Sequence, residues 1–172
     1  MNSEEIVEKL LSATNFNTLS DKEANEFVKA YIRKLVLNVT LYVDTNISVG
    51  NIRFADSYDL DHEISQEITG TPSAYSALDG DLGALVAFSE DYSSLGIASY
   101  NELCKEVLQD FLNLHNGIFV VYLSENNISE LSLSVPKSNG NKILTSPVQG
   151  KITIIPINFS YGTINFLLLE LE

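Results

Sequence analysis

At 172 residues, with 45% hydrophobic and 19% charged residues, the chain has ordinary globular composition and enough length for one sizeable core, 1–172. Ten basic residues against 23 acidic ones give a formal net charge of −13, which argues against nucleic acid and anionic membrane surfaces as partners. No run of 18 or more apolar residues occurs, and Met-Asn-Ser-Glu-Glu has neither the basic nor the apolar region of a signal peptide, so a cytoplasmic protein without membrane insertion is expected.

In chain order, residues 3–13 suggest a short acidic helix with Ser3 as its N-cap and Ile6, Val7, Leu10 and Leu11 on one face. Together with the break at 15–20 it forms an N-terminal helical extension, 1–20. Ser20 followed by Glu23 is a capping box and predicts a helix to about Leu37. From Asn38 the alternation of Val39, Leu41 and Val43 predicts a strand. Residues 44–51 are turn-rich, and 51–61 are ambiguous between strand and loop. Ile64–Gly70 and Ala74–Leu78 alternate weakly, Leu78–Gly83 reads as a turn, and Leu82–Phe88 reads as a buried strand. A short helix is expected from Ser89, broken near Tyr100.

The long helix then starts at Asn101 and ends at Ser124–Asn127. Leu103, Val107, Leu108, Phe111, Leu114, Ile118 and Val121 mark its buried face. Glu102, Lys105, Glu106, Gln109, Asp110, Asn113 and Asn116 form its polar stripe. At about 100° per residue, Glu106, Asp110 and Asn113 fall within roughly 60° of one another. A carboxylate and a carboxamide one turn apart can grip a cation and orient a water, although a solvated face has the same pattern. Ile128–Val135 is expected as a strand closed by Pro136, and 137–149 as a polar loop. Gly150–Phe159 and Tyr161–Leu171 are the final two strands, with Pro156 implying an edge or a bulge.

Short links between helices and strands favour an α+β domain: an antiparallel sheet of about six strands with two long helices packed on one side. Helix-then-strand at 21–43 echoes helix-then-strand at 101–135, as two pseudo-twofold halves would. The first helix has no acid-x-x-Asn-x-x-x-Gly, so one site per chain is expected.

Metal and nucleophile sites find little support. His62 and His115 lack a Cys partner, and Asp56, Asp59, Asp61 and Glu63 do not match an EF-hand loop and read as a solvated acidic loop. Gly80-Asp-Leu-Gly83 lacks the Lys-Ser/Thr of a phosphate cradle and is expected to lead into a strand rather than a helix. Cys104 lies on the apolar side of its helix and reads as an inert buried thiol. His115, beside the polar stripe, is expected to be solvated or partner-facing.

Asp110-x-x-Asn113, Gly117 four residues on, and Pro136 after 22 intervening residues resemble the signature of the CheC/CheX chemotaxis phosphatases. The segment Gly80–Ser99 and the terminal pair of strands in Gly150–Glu172 resemble the CheX flanks, so the likeness spans roughly 65–172 and, more loosely, the helix at 21–37. The family's acid is normally Glu, one methylene longer than Asp110, and Glu106 stands where the family carries Asp or Ser.

The resemblance implies a CheX-like phosphatase that hydrolyses the aspartyl-phosphate of a CheY-type response regulator. Asn113 would orient the water and Asp110 would pair with the regulator's lysine, while Glu106, Asn116, Gly117 and Pro136 would contact the partner. Magnesium would belong to the receiver, so no cofactor of the chain's own is expected. Some family members pair into homodimers through sheet edges. Two alternatives remain: a non-catalytic module that docks a response regulator or a flagellar switch component, and a structural dimerisation domain.

Overall fold

The computed structural model describes residues 1–171; Glu172, the last residue of the terminal segment, lies outside the described residues. In chain order its elements are α1 (Ser3–Ser12), α2 (Glu26–Tyr42), β1 (Ser48–Val49), β2 (Arg53–Ala55), β3 (Ser57–Leu60), β4 (Ile64–Thr69), β5 (Ala74–Gly80) and α3 (Leu82–Ser93). They continue with α4 (Glu102–Glu125), β6 (Ser132–Leu133), β7 (Lys137–Ser138), β8 (Lys142–Thr145), β9 (Ile152–Phe159) and β10 (Gly162–Glu170).

The main sheet is antiparallel, in the order β1-β9-β10-β5-β4-β6, with β2 also on β9 and β7 also on β4. Alternation along the strands gives it two apolar faces. Ile64, Ile68, Leu78, Ile155, Ile157, Ile164, Phe166 and Leu168 meet the helices. Tyr75, Ala77, Ile152, Ile154, Leu167 and Leu169 face the other way, where Leu60 and Leu144 from the separate β3–β8 pair cover them. All four helices contribute to the first cluster, so the α+β architecture with two long helices on one side, α2 and α4, is as expected. The N-terminal extension joins the same core through Val7, Leu11, Phe16 and Leu19.

Several local expectations are corrected. Asn2, not Ser3, caps α1, its Oδ1 accepting from the Glu5 amide at 2.9 Å. The Ser20–Glu23 box does form, at 3.0 and 3.2 Å, but it closes a turn, and Asn25 caps the helix that follows. The strand expected at 39–43 is the end of α2: Val36 and Val39 continue the buried stripe while Leu41 is exposed, so the alternation was incidental and the strand half of the internal echo disappears.

The strand expected at Leu82–Phe88 is the first part of α3, and the short helix expected from Ser89 is its second. Ala84, Leu85, Phe88 and Ser89 are buried at helical spacing and Leu82 is not, a pattern that a short apolar run does not reveal. A helix therefore does follow Gly80–Gly83, and the expected turn at Leu78–Gly83 is the end of β5 with Asp81 at the N-cap position.

Of the strand expected at 128–135, only Ser132–Leu133 joins the ladder, and the expected loop at 137–149 contains β7 and β8. Pro156 lies on an inner strand, but opposite the gap between β1 and β2, where its carbonyl accepts from the Gly50 amide at 2.9 Å. A Cβ on Gly50 would lie 2.9 Å from Pro156 Cγ, so this close crossing requires the glycine.

Candidate functional site

α4 runs 24 residues from its cap at Asn101, whose Oδ1 accepts from the Cys104 amide at 2.9 Å. Its buried face is Cys104, Val107, Leu108, Phe111, Leu112, His115, Asn116, Phe119 and Leu123. The structure overturns four of the sequence assignments on this helix. Leu103 and Val121, expected inside, are 41% and 54% exposed. His115 and Asn116, expected outside, are fully buried.

His115 Nδ1 accepts from Asn38 Nδ2 of α2 at 2.9 Å, and the ring packs between Tyr31 and Phe111, which leaves it no surface to offer a partner. Burial holds its pKa down at about 3, so the ring is neutral. Asn116, expected to touch the partner, instead donates inward to Gln66 Oε1 at 3.0 Å. Cys104 is buried as expected, and burial raises its thiol pKa.

Asp110 and Asn113 are both exposed, one turn apart, as the helical spacing required. Neither is free. Tyr92 of α3 donates its hydroxyl to Asp110 Oδ2 at 2.7 Å, and Gln66 of β4 donates Nε2 to Asn113 Oδ1 at 2.7 Å. Burial, then the hydrogen bond to Asp110 and its negative charge, raises the Tyr92 pKa, so this phenol is always a donor at neutral pH. Glu106 is exposed one turn before Asp110 and lines, with it, a groove of about 440 Å³ whose other walls include Tyr42, Tyr92, Leu95, Leu103 and Leu114. Gly117 is half-buried, and a Cβ placed on it would meet nothing within 4 Å, so the helix surface beside Asn113 is open to an approaching body.

Pro136 is half-buried in the segment that pairs with β4. Ile68 pairs with Leu133 and Ser65 with Lys137, so one extra residue is accommodated at 134–136 and the segment bulges. Proline suits a bulge because it has no amide to offer the ladder. Ser134 lies within it: its amide donates to Glu67 O at 3.0 Å, while its carbonyl accepts from Gln66 Nε2 at 2.9 Å.

Sequence reasoning missed Gln66 and Tyr92. Gln66 had a signal, a lone amide between Ile64 and Ile68 on the apolar parity of a strand. Tyr92 had none: it falls in the short helix expected from Ser89, but nothing in that segment says which way the helix packs or that its hydroxyl meets Asp110.

Glu63, expected in a solvated acidic loop, is buried on the sheet's far face. Burial alone would raise its pKa, but hydrogen bonds from Tyr75, Asn139 and Ser65 and the Lys142 ammonium at 3.4 Å outweigh it and hold the carboxyl at about 2. Among the described residues no three His, Cys, Asp or Glu side chains converge as a metal site would require. No helix of the described residues is long and apolar enough to cross a membrane.

No protein-family model and no curated protein matches the chain. Its fold, however, matches solved structures. A CheC-like superfamily protein from Shewanella sp. PV-4 superposes with TM-score 0.69 at 14% identity, covering 83% of this chain and 95% of that one. Chemotaxis protein CheX from Vibrio vulnificus gives 0.67 at 15%, covering 84% and 98%. The CheX–CheY–BeF3–Mg2+ complex from Borrelia burgdorferi gives 0.67 at 12%, covering 86% and 99%. The architecture is thus a CheC/CheX-like fold.

Proposed function

We propose that this chain, built on a CheC/CheX-like fold, removes the aspartyl-phosphate of a CheY-type response regulator. The observation that carries the reading is the pair Asp110 and Asn113, exposed one turn apart and each fixed by a hydrogen bond from a neighbouring element. Acyl-phosphate hydrolysis is already downhill, so the catalyst has only to align a water in line with phosphorus and shield charge. A carboxamide suits the first task because its N–H groups can hold a water while its oxygen is held in place by Gln66. In this reading Asn113 enters the receiver's phosphorylated pocket and holds the water. Asp110 pairs through its remaining oxygen with the receiver's lysine, and the groove beside Glu106 seats the receiver's surface. The open surface at Gly117 and the bulge at Pro136 flank the contact. Magnesium is the receiver's, and this chain contributes no ligand to it.

The test is phosphate release from a phosphorylated CheY-type receiver mixed with the purified protein. The expected result is acceleration that Asn113→Ala lowers by about 100-fold or more, to near the receiver's own hydrolysis rate. Equal rates with wild type and variant would reject the catalytic role.

One observation favours a second reading, a non-catalytic module that docks a receiver or a flagellar switch component. Asp110 is shorter than the family's Glu, and one of its oxygens is already engaged by Tyr92. Binding to the receiver without acceleration would select it. The homodimer expected through a sheet edge is a separate proposal, tested by solution mass from light scattering.

A further inference from the structure

Gln66 is a fully buried amide on the helix-facing side of β4, between Ile64 and Ile68. Its Nε2 lies 2.9 Å from the Ser134 carbonyl oxygen and 2.7 Å from Asn113 Oδ1, and its Oε1 lies 3.0 Å from Asn116 Nδ2. The direction of these bonds is forced from one end. A backbone carbonyl can only accept, so the atom of Gln66 that meets Ser134 has to be the nitrogen. With the nitrogen there, its second hydrogen points at Asn113, and the Asn113 atom it meets has to be the oxygen. The Asn113 Nδ2 group is therefore turned toward solvent. The bulge at 134–136 makes this possible, because it hands the Ser134 carbonyl to a side chain instead of to the ladder.

We propose that Gln66 is a positioning residue that sets the polarity of Asn113, so that α4 presents a pair of N–H donors to an oxygen lone pair in the partner's site. The chemical consequence rests on the phosphatase reading: an N–H donated to the attacking water occupies one lone pair and leaves the other aimed at phosphorus. A donor also tolerates the neighbouring phosphoryl oxygens, which an outward carbonyl would repel. The geometric claim stands apart from that reading. An exposed asparagine otherwise samples both orientations of its amide, and only the buried partner selects one.

Two measurements test it. In the wild-type protein, side-chain amide hydrogen exchange followed by NMR is expected to show slow exchange for the Gln66 amide protons and fast exchange for those of Asn113. Protected Asn113 protons with exposed Gln66 protons would overturn the assignment. In phosphate release from a phosphorylated receiver, Gln66→Met and Gln66→Glu are each expected to lower kcat on the order of 10- to 100-fold, with KM for the receiver changed less than about twofold. The glutamate variant separates donor number from packing, since a carboxyl of nearly the same size offers at most one O–H to the two acceptors, Ser134 O and Asn113 Oδ1, that the Gln66 amide nitrogen serves together. A folded Gln66 variant with wild-type kcat, in a system where Asn113→Ala is inactive, overturns the positioning role. If wild type accelerates nothing, the phosphatase reading fails and the exchange experiment alone decides the polarity of Asn113. If neither variant folds, that same experiment on the wild type decides.

Discussion

Tyr92 and Asp110 show how a short side chain is made useful. Aspartate has one methylene fewer than glutamate, so it reaches less far but also has fewer rotamers to lose. The Tyr92 hydroxyl fixes Oδ2 and leaves Oδ1 to the groove. A hydrogen bond to a carboxylate is stronger than a neutral one, but exposure discounts it to about 1 kcal/mol, or roughly fivefold in an equilibrium constant. Tyr92→Phe is therefore expected to weaken binding of the phosphorylated receiver about fivefold, read by titration with a receiver carrying a stable phosphoryl mimic. Tighter binding would mean that Tyr92 restrains Asp110 rather than presenting it. The exposed acid and amide were legible from helical spacing alone; their tethers were not, because Tyr92 and Gln66 come from elements distant in sequence.

α4 serves two demands that its sequence keeps on opposite sides. Its buried side meets Phe88 of α3 edge-on at Phe111, with ring centroids 5.0 Å apart, and Tyr31 and Phe27 of α2 at Phe119, both at 5.2 Å. Phe111 also stands 5.3 Å from the Tyr92 ring, so the packing that holds α3 against α4 also aims the hydroxyl at Asp110. Phe111→Ala is expected to cost about 3–5 kcal/mol in urea unfolding, from lost burial plus the cavity left behind. A cost below about 1 kcal/mol would mean that the site collapses freely and that the aromatic cluster is not what fixes α3. The period of α4 was plain because 24 residues sample its pitch many times. α3 was misread because its first seven residues, almost all apolar, satisfy a buried strand and a buried helix equally well. The edge segments β2, β3, β6, β7 and β8 span at most four residues each, too few for alternation to stand out from chance.

At the scale of the whole molecule, two buried titrating groups on opposite faces of the sheet make the fold sensitive to acid. His115 has its folded pKa depressed from 6.5 to about 3, so below about 6.5 the unfolded chain binds a proton that the folded chain refuses. Its penalty starts as pH falls through 6.5, reaches about 2 kcal/mol by pH 5, and levels off near 3. Glu63 has its folded pKa depressed from 4.5 to about 2, so the stability it contributes is full above about 4.5 and is lost as pH falls toward 2. The loss is on the order of 3 kcal/mol. Urea midpoints are expected to fall from pH 7 to 5 through His115 alone and more steeply below about 4.5, where both groups titrate, with His115→Gln abolishing the fall between pH 7 and 5 and leaving only the Glu63 part below it. A flat wild-type profile from pH 7 to 5 would contradict the buried neutral imidazole.

Local order in this chain was written into neighbouring residues: the long helix, the two terminal strands, the exposed acid and amide, and the α+β class follow from spacing because a helix or strand obeys its own period. Which polar groups turn inward was decided only when α4 settled against α2 and the sheet. His115 and Asn116 are polar and sit beside the exposed stripe, yet Asn38 and Gln66 were waiting across the interface to satisfy them. A residue's partner across the core leaves no trace in its own segment, so the direction in which Asn113 points belongs to the packed molecule.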